Sequence, residues 1–251
     1  VTVIEREAKV FKGDATGTRI RVDDLNQRDW TRAEVRDLYR QVTSISSPFS
    51  SRADDFAIDF KVPGYQRWIS EMPDASELLD RAPWRFKFKF DGETFKYTYD
   101  FRGVPGLPLE ARKVKQSEPL QIIAEVEPDD LDASTVPRPK RSASVTADAS
   151  TIHGIGPVKG TLYVFDRDRE IMSRYAQSRL IERFLDQNGG IRVYRDDIRI
   201  YNYGEPGDDW LGLDLRRVNS PSRNLSRNIV IGLVDLNLEE SGGLREKTNP
   251  E

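Results

Sequence analysis

The stretch GGIRVYRDDIRIYNYGEPGDDWLGLDLRRVNSPSRNLSRNIVIGLVDL, residues 189–236, decides the fold of this chain. Its runs 191–194 and 198–201 alternate around an Asp-Asp pair, which predicts a β-hairpin. The run 229–236 is almost wholly apolar, as is typical of a central strand buried on both faces. A hairpin followed by a buried strand indicates a sheet, to which the rest of the chain must add.

The segment before this stretch predicts a strand and then a helix. LYVFD, residues 162–166, is the strand. Apolar residues at helical spacing predict one helix from Asp168 to Asp186. We expect the sequence Asn-Gly-Gly at 188–190 to end this helix, because glycine readily adopts the conformation that closes one. The order in this half of the chain is therefore strand, helix, strand.

Two local signals are clear further upstream. Thr31 and Glu34 form a Thr-x-x-Glu capping box before apolar residues at helical spacing. We expect that helix to stop before Ser46-Ser47-Pro48, because the residue preceding a proline avoids helical angles. RFKFKFDGETFKYTY, residues 85–99, predicts a hairpin with phenylalanines on one face and lysines on the other. The remaining expected elements are strands at 1–11, 18–22, 55–60 and 120–126 and a short helix at 75–81.

These elements predict an α+β fold with mixed or antiparallel sheets and few helices, and a strand–helix–strand C-terminal half. Residues 127–151 hold too few large apolar side chains to offset the entropy of ordering, which predicts a flexible loop. The chain accordingly divides into 1–50, 51–126, 127–151 and 152–251. Whether residues 61–150 form their own subdomain or an insertion stays open.

Composition excludes several kinds of site. The 251 residues contain no cysteine and one histidine, so neither a disulfide nor a zinc site of Cys and His ligands can form. No apolar run reaches the roughly 18 residues of a spanning helix and no signal peptide opens the chain, so we expect no membrane partner and a cytoplasmic location. The net charge of −3 gives no global attraction to nucleic acid. Because the first residue lies inside strand-like sequence without a Met, we expect an excised or processed piece.

Two blocks carry a resemblance to a known superfamily. GTRIRVDDLNQRDWTRAEVRDLYRQVTSISSPF, residues 17–49, looks like the end of a Bergerat-fold ATP-binding domain. GIRVYRDDIRIYNYGEPGDDWLGLD, residues 190–214, and more weakly residues 228–249, resemble the transducer domain of gyrase, heat-shock-chaperone, histidine-kinase and MutL (GHKL) ATPases. The similarity is greatest to bacterial microrchidia-like ATP-binding proteins.

The resemblance implies a role for each part of the chain. Residues 1–50 would be the C-terminal remnant of the ATP-binding domain, and 51–126 a β-rich part of the second domain. Residues 152–251 would be the transducer-like core, which couples ATP binding to domain closure or dimerisation. The implied partners are an upstream ATP-binding domain and a second copy in a homodimer.

The resemblance also implies site residues. Lys247 would sense the γ-phosphate, with Arg245 as the fallback, and Gly17 and Thr18 would lie beside the adenine. ATP and Mg²⁺ would be cofactors of the full-length protein. The Asp-x-Gly-x-Gly adenine loop and the Glu- and Asn-bearing helix of such ATPases are not found before Thr18. Without a metal ligand or a water-activating carboxylate, we expect this part of an ATPase to be catalytically silent and to bind nucleotide weakly.

Two other function classes stay open. One is a nucleic-acid-binding module, in which the hairpin 85–99 stacks bases on phenylalanines and places lysines on phosphates. Its other half would be the cluster Arg216, Arg217, Arg223 and Arg227. The other class is a plain protein-interaction domain. A sheet with one buried and one wet face, and a solvated arginine surface, explain the same residues without a ligand.

Two further motifs have a structural and a functional interpretation. HGIGPVKG, residues 153–160, superficially resembles a phosphate loop, but it lacks the Gly-Lys-Ser/Thr ending and a helix directly after it. We therefore predict a flexible entry to the next strand. GEPGDDW, residues 204–210, has an acidic cluster that could hold a cation, or it is a shaped turn anchored by its tryptophan.

Overall fold

The computed structural model describes residues 20–21, 29–45, 58–72, 74–119, 121–123, 144–146, 156–219 and 224–243. Its helices are α1 (Arg32–Thr43), α2 (Gln66–Ser70), α3 (Ala75–Leu79), α4 (Arg169–Met172), α5 (Ser178–Asn188) and α6 (Leu213–Asn219). Its strands are β1 (Trp84–Phe90), β2 (Thr94–Phe101), β3 (Arg112–Pro119), β4 (Gln121–Ile123), β5 (Ser144–Thr146), β6 (Val158–Val164), β7 (Gly190–Arg195), β8 (Ile198–Ile200) and β9 (Val230–Leu236). A 3₁₀ turn, Arg227–Ile229, leads into β9.

A 7-stranded mixed sheet organises the fold, in the order β3-β2-β1-β6-β9-β7-β8. Neighbouring strands are antiparallel except for the parallel pair β7 and β9. β4 and β5 form a separate two-stranded sheet. The predicted α+β class, with a mixed sheet and few helices, is confirmed. β9 lies between β6 and β7, which confirms the central strand.

The pairing of β1 with β6 joins the two halves of the chain. Trp84 lies opposite Val164 and Phe90 opposite Val158, so strands on both sides of residues 127–151 belong to one sheet. β5 falls inside the predicted flexible loop, and the rest of that loop lies outside the described residues. The division into 1–50, 51–126, 127–151 and 152–251 stays a prediction.

Helix α1 forms as its capping box predicts. The Glu34 amide donates to Thr31 Oγ1 at 3.3 Å, and the Thr31 amide donates to Glu34 Oε2 at 2.8 Å. These bonds satisfy amides that have no partner within the first turn. The helix ends at Thr43, before the Ser-Ser-Pro sequence, and buries Val35.

The prediction of one continuous helix from Asp168 to Asp186 is wrong, because two helices separated by a break occupy this range. α4 is capped by the Asp168 side chain and ends at Met172, and α5 begins after Gln177, whose φ of 62° is left-handed. The apolar pattern continues through the break because Tyr175, between the helices, is buried in the core. The predicted end is confirmed, since α5 stops at Asn188.

Three strand predictions need correction. β3 was not predicted, and it precedes the expected strand 120–126, of which β4 is the described part. Residues 58–60, described from the expected strand 55–60, lie outside any strand, and Phe60 instead meets the Tyr39 ring edge-on at 5.8 Å. β6 begins at Val158, so the last residues of the predicted flexible entry pair with β1 and β9.

The two sides of the sheet differ. On one side Tyr163, Ile231 and Leu233 are buried, and the first two belong to a core that includes α3, α4 and α5. The other side carries contacting rings, with centroids 5.3 Å apart for Phe86 and Tyr97. The predicted hairpins at 85–99 and 191–201 and the short helix within 75–81 are confirmed. Among the helices of the described ranges, none has the length and apolar character needed to cross a membrane.

Candidate functional site: the joint between α1 and the β7–β8 hairpin

The last turn of α1 is bonded to the β7–β8 hairpin, far from it in sequence. The contact, called the joint below, comprises Gln41, Ser44 and Ile45 on the helix side and Tyr194, Arg199 and Tyr201 on the hairpin side. The Arg199 amide donates to the Ile45 carbonyl at 2.8 Å, and Arg199 Nη1 donates to Ser44 Oγ at 2.7 Å. A helix end leaves carbonyls without intrahelical partners, so the hairpin satisfies groups that would otherwise need water.

Both tyrosines of the joint donate to carbonyls of the same turn. The Tyr194 hydroxyl donates to the Ser44 carbonyl at 3.3 Å, and the Tyr201 hydroxyl donates to the Gln41 carbonyl at 3.2 Å. Tyr194 is buried, and this burial raises the pKa of its hydroxyl, which keeps the hydroxyl protonated as a donor. The joint is therefore buried at Tyr194 and open to solvent at Tyr201.

The hairpin presents these side chains because of its turn. Asp196 and Asp197 both have positive φ, 50° and 67°, which is the conformation that matches the twist of a two-residue hairpin. Tyr194 lies directly opposite Arg199, so both point to the same side of the sheet. The sequence predicted this turn, but it did not predict that α1 packs against it.

Two guanidinium groups are buried beside the joint. The Arg199 side chain is 0% exposed. Its Nη2 forms an ion pair with Glu205 Oε1 at 2.6 Å, although the angles at these atoms are not those of a hydrogen bond. Arg192 Nη2 donates to Asn188 Oδ1 at 3.0 Å. Burial, and then the positive charge of Arg199, lower the pKa of Arg192. The Nε atoms of both arginines have no hydrogen-bond partner within the described part of the chain.

This charge arrangement makes the joint sensitive to substitution. A buried ion pair adds little to stability when it is complete, but removing one partner leaves an uncompensated charge and is strongly destabilising. The Arg199 guanidinium also lies over the Tyr201 ring, 4.8 Å from its centroid, so one side chain contacts both helix and hairpin. Arg199 is thus the residue on which the joint depends most.

The same hairpin also holds the segment that follows β9. Asp196 Oδ1 accepts from the Leu238 amide at 3.2 Å. Ser241, at 0% exposure, accepts from the Gly156 amide through its hydroxyl at 3.0 Å. A Cβ at Gly156 would collide with the Glu240 backbone, so only glycine allows this close approach. We call residues 237–241 the anchored segment.

The site residues predicted from the resemblance fall outside the part of the chain that the structure describes. Lys247, Arg245, Gly17 and Thr18 all lie outside the described residues. Lys247 follows the anchored segment by six residues, a length of chain that can reach at most about 20 Å. The roles of these residues remain predictions.

The acidic turn 204–210 serves as scaffold. Trp210 Nε1 donates to the Ile191 carbonyl at 2.8 Å. Asp208 accepts from the Gly204 amide, and the Asp209 carboxylate accepts from the amides of Leu213 and Asp214 at the start of α6. The Asp208 and Asp209 carboxylates are therefore hydrogen-bonded to backbone amides, as the shaped-turn interpretation expects. No cluster of His, Asp and Glu suited to a metal ion occurs within the described stretches.

The predicted arginine cluster is only partly described. The Arg227 amide donates to Asp214 Oδ1 at 2.8 Å, and its guanidinium pairs with the same carboxylate at 3.4 Å. Arg217 and Arg227 line an open cleft of about 400 Å³, Arg216 is exposed, and Arg223 lies outside the described residues. Arg227 precedes β9, whose register places it at the opposite end of the sheet from Lys159. Of the described arginines, Arg217 and Arg227 therefore do not form one surface with the 85–99 hairpin lysines.

Sequence reasoning missed Ser44, Tyr194 and Arg199. The alternation in β7 puts Arg192 on the face opposite its aliphatic residues, a face that is usually solvated, whereas Arg192 is buried. Tyr194, two residues further on and therefore on the same face as Arg192, was the one available signal that this face is covered. Comparison of the chain with protein-family models, curated proteins and solved structures gives no match.

Proposed function

We propose that this chain is the transducer of a GHKL-type ATPase, which couples ATP binding in an upstream domain to domain closure or dimerisation. The supporting observation is that one hairpin holds both ends of the coupling path. β8 is bonded to the last turn of α1, and the turn at Asp196 is bonded to the anchored segment before Lys247. By resemblance α1 ends the ATP-binding domain, so the hairpin would connect that domain to the sensor lysine.

Coupling follows from the rigidity of the joint. Packed elements with buried hydrogen bonds move as one body rather than deform continuously. A displacement of α1 would therefore carry the β7–β8 hairpin with it, and the anchored segment would follow through Asp196. The coupling path runs from α1 through Arg199 and Asp196 to Leu238.

Lys247 would give this path its nucleotide dependence. An ammonium on a flexible stem contributes charge to a triphosphate that it cannot contribute equally to a diphosphate. Only such a difference between the two states shifts a conformational equilibrium. Gly17 and Thr18 would lie beside the adenine, while Mg²⁺ and the groups that hydrolyse ATP would belong to the upstream domain. The proposal also includes a cytoplasmic location for the full-length protein and its assembly as a homodimer.

The test uses the intact protein and compares ATP with ADP. Lys247→Gln should abolish the ATP-dependent change in dimerisation, measured by analytical ultracentrifugation, while the neighbouring Arg245→Gln should retain it. Wild-type dimerisation and ATP turnover in Lys247→Gln would refute the role of Lys247. An intact protein that binds no ATP would refute the transducer and favour a plain protein-interaction domain.

The joint is tested separately by a matched pair of tyrosine variants. Tyr201→Phe removes the hydroxyl that donates to the Gln41 carbonyl. The control, Tyr203→Phe, removes a hydroxyl that forms no hydrogen bond with a described residue. Both side chains are partly exposed, so both variants should fold. We expect Tyr201→Phe to weaken the ATP-dependent change several-fold with nucleotide affinity unchanged. Equal behaviour of the two variants would exclude this end of the joint from the coupling path.

A further inference from the structure

Exposed lysines collect on one side of the sheet. They stand on adjacent strands and point to the side opposite the phenylalanine rings. We call this surface the lysine face; its members are Lys87 and Lys89 on β1, Lys96 on β2, Lys113 and Lys115 on β3, and Lys159 on β6. It occupies the part of the core side that the helices leave exposed.

The register brings like charges together. Lys159 lies directly opposite Lys89, and Lys89 lies directly opposite Lys96, which gives a row of lysines across three strands. Like charges directly opposite one another destabilise an antiparallel pair. Departures from such local rules concentrate at functional sites. The row of lysines therefore indicates a binding site for a polyanion, whose negative charge would offset the repulsion between the lysines.

Few carboxylates neutralise the lysine face. Of its lysines, Lys96 alone forms an ion pair within the described part of the chain, with Asp91 at 3.0 Å. Asp100 pairs with Arg85 at 3.1 Å and Arg102 at 3.6 Å. Asp235 lies opposite Lys159 at the border of the face and is half-buried. The patch is therefore locally positive although the whole chain carries −3.

Its dimensions suit a phosphate backbone. Strands lie about 4.8 Å apart and alternate residues along a strand about 6.8 Å apart, so the face extends about 14 Å from β6 to β3. Each strand of a duplex carries one phosphate about every 3.4 Å of helix axis, which places about four of them over that distance. Thr98 and Thr161 lie between the lysines and add hydroxyl donors for phosphate oxygens.

We propose that the lysine face binds the phosphate backbone of double-stranded nucleic acid without sequence preference. A duplex is favoured over a single strand because single-strand sites stack bases on aromatic rings. The rings of Phe86 and Phe88 contact Tyr97 and Phe95 on the opposite side of the sheet, so no base bound at the lysine face can reach them. This separates the two roles that the sequence had assigned jointly to the 85–99 hairpin.

The experiment measures fluorescence anisotropy of a labelled DNA duplex with the full chain from about 50 to 200 mM salt. We expect log K to fall with log salt at a slope of about −4. Lys87→Gln/Lys89→Gln/Lys115→Gln should reduce affinity at low salt at least tenfold and make the slope shallower by about 3. These side chains are exposed, so the variant should fold like the wild type, which circular dichroism checks.

A control variant removes the same charge elsewhere. Lys61→Gln/Arg67→Gln/Arg217→Gln changes exposed side chains outside the lysine face and should keep the wild-type affinity. Equal losses in both variants would attribute binding to net charge and overturn the proposal. Stronger binding to a single-stranded oligonucleotide, or binding to phosphatidylserine vesicles but not to the duplex, would also overturn it.

Discussion

The Arg199 guanidinium donates to the Ser44 hydroxyl at 2.7 Å and thereby ties strand β8 to the end of helix α1. The arginine is fully buried and also faces the Glu205 carboxylate at 2.6 Å. One side chain therefore binds the residue that follows α1 and neutralises a carboxylate. Substitution of Arg199 should therefore strongly destabilise the fold.

Arg199→Met should lower the free energy of unfolding by about 2–3 kcal/mol, because it leaves Glu205 without its cation and Ser44 without its donor. Methionine keeps much of the volume, so the loss reports the charge rather than a cavity. Urea denaturation followed by circular dichroism measures the change. Arg67→Met, in an exposed pair with Glu71 and 88% accessible, should change stability by less than about 0.5 kcal/mol. Equal losses in the two variants would contradict the burial argument.

Gly156→Ala tests the anchored segment. Its Cβ would collide with the Glu240 backbone and lie 2.8 Å from Ser241 Oγ, so we expect a loss of about 1–3 kcal/mol. Native-state hydrogen exchange should show faster exchange of the Ser241 amide, which donates to the Leu238 carbonyl. Gly242→Ala, in the same part of the chain with no atom within 4 Å of its Cβ, is the control. Unchanged exchange in Gly156→Ala would show that the segment is not held there.

The sequence predicted the elements whose signals are local. The capping box at Thr31, the Asp-Gly turn after β1 and the Asp-Asp turn after β7 each fix a few backbone angles, so neighbouring residues suffice to read them. Strand β3 was not predicted because Val114 is its only large aliphatic residue. An edge strand needs no periodic apolar face, so it lacks the pattern that identifies a strand in sequence. The break at Gln177 was not predicted because Tyr175 is buried in the core and so continues the apolar helical pattern across the break.

The candidate site was less accessible to sequence reasoning than the fold. The joint pairs Ser44 with Arg199, 155 residues apart, and no local pattern specifies such a contact. The alternation in β1 correctly assigned Lys87 and Lys89 to one face. It could not show that Lys113, Lys115 and Lys159 share that face, because this depends on which strands become neighbours.

Asp91 should give the stability of the first hairpin a defined pH dependence. The Thr94 amide, and then Lys96, stabilise its carboxylate and lower its pKa from 3.8 to about 2. A carboxyl group with a lowered folded pKa contributes stability that is fully present above its unfolded pKa and is lost as pH falls through about 2. Asp91→Asn should therefore flatten the fall in stability between about pH 4 and pH 2, measured by urea denaturation. Lys96→Gln should have an intermediate effect, and a variant curve identical to the wild type would refute the assignment.

The acidic turn 204–210 should behave as scaffold rather than as a cation site. Asp209→Ala removes the acceptor for the first amides of α6, and we expect it to cost about 1 kcal/mol. Trp210→Phe keeps an aromatic ring but loses the indole N–H that donates to the Ile191 carbonyl, with a similar loss of about 1 kcal/mol. Because backbone amides already occupy these carboxylates, Ca²⁺ or Mg²⁺ should leave the Tm of the wild type unchanged. A Tm that rises with either cation in the wild type but not in Asp209→Ala would show that the carboxylates bind a metal in preference to the amides.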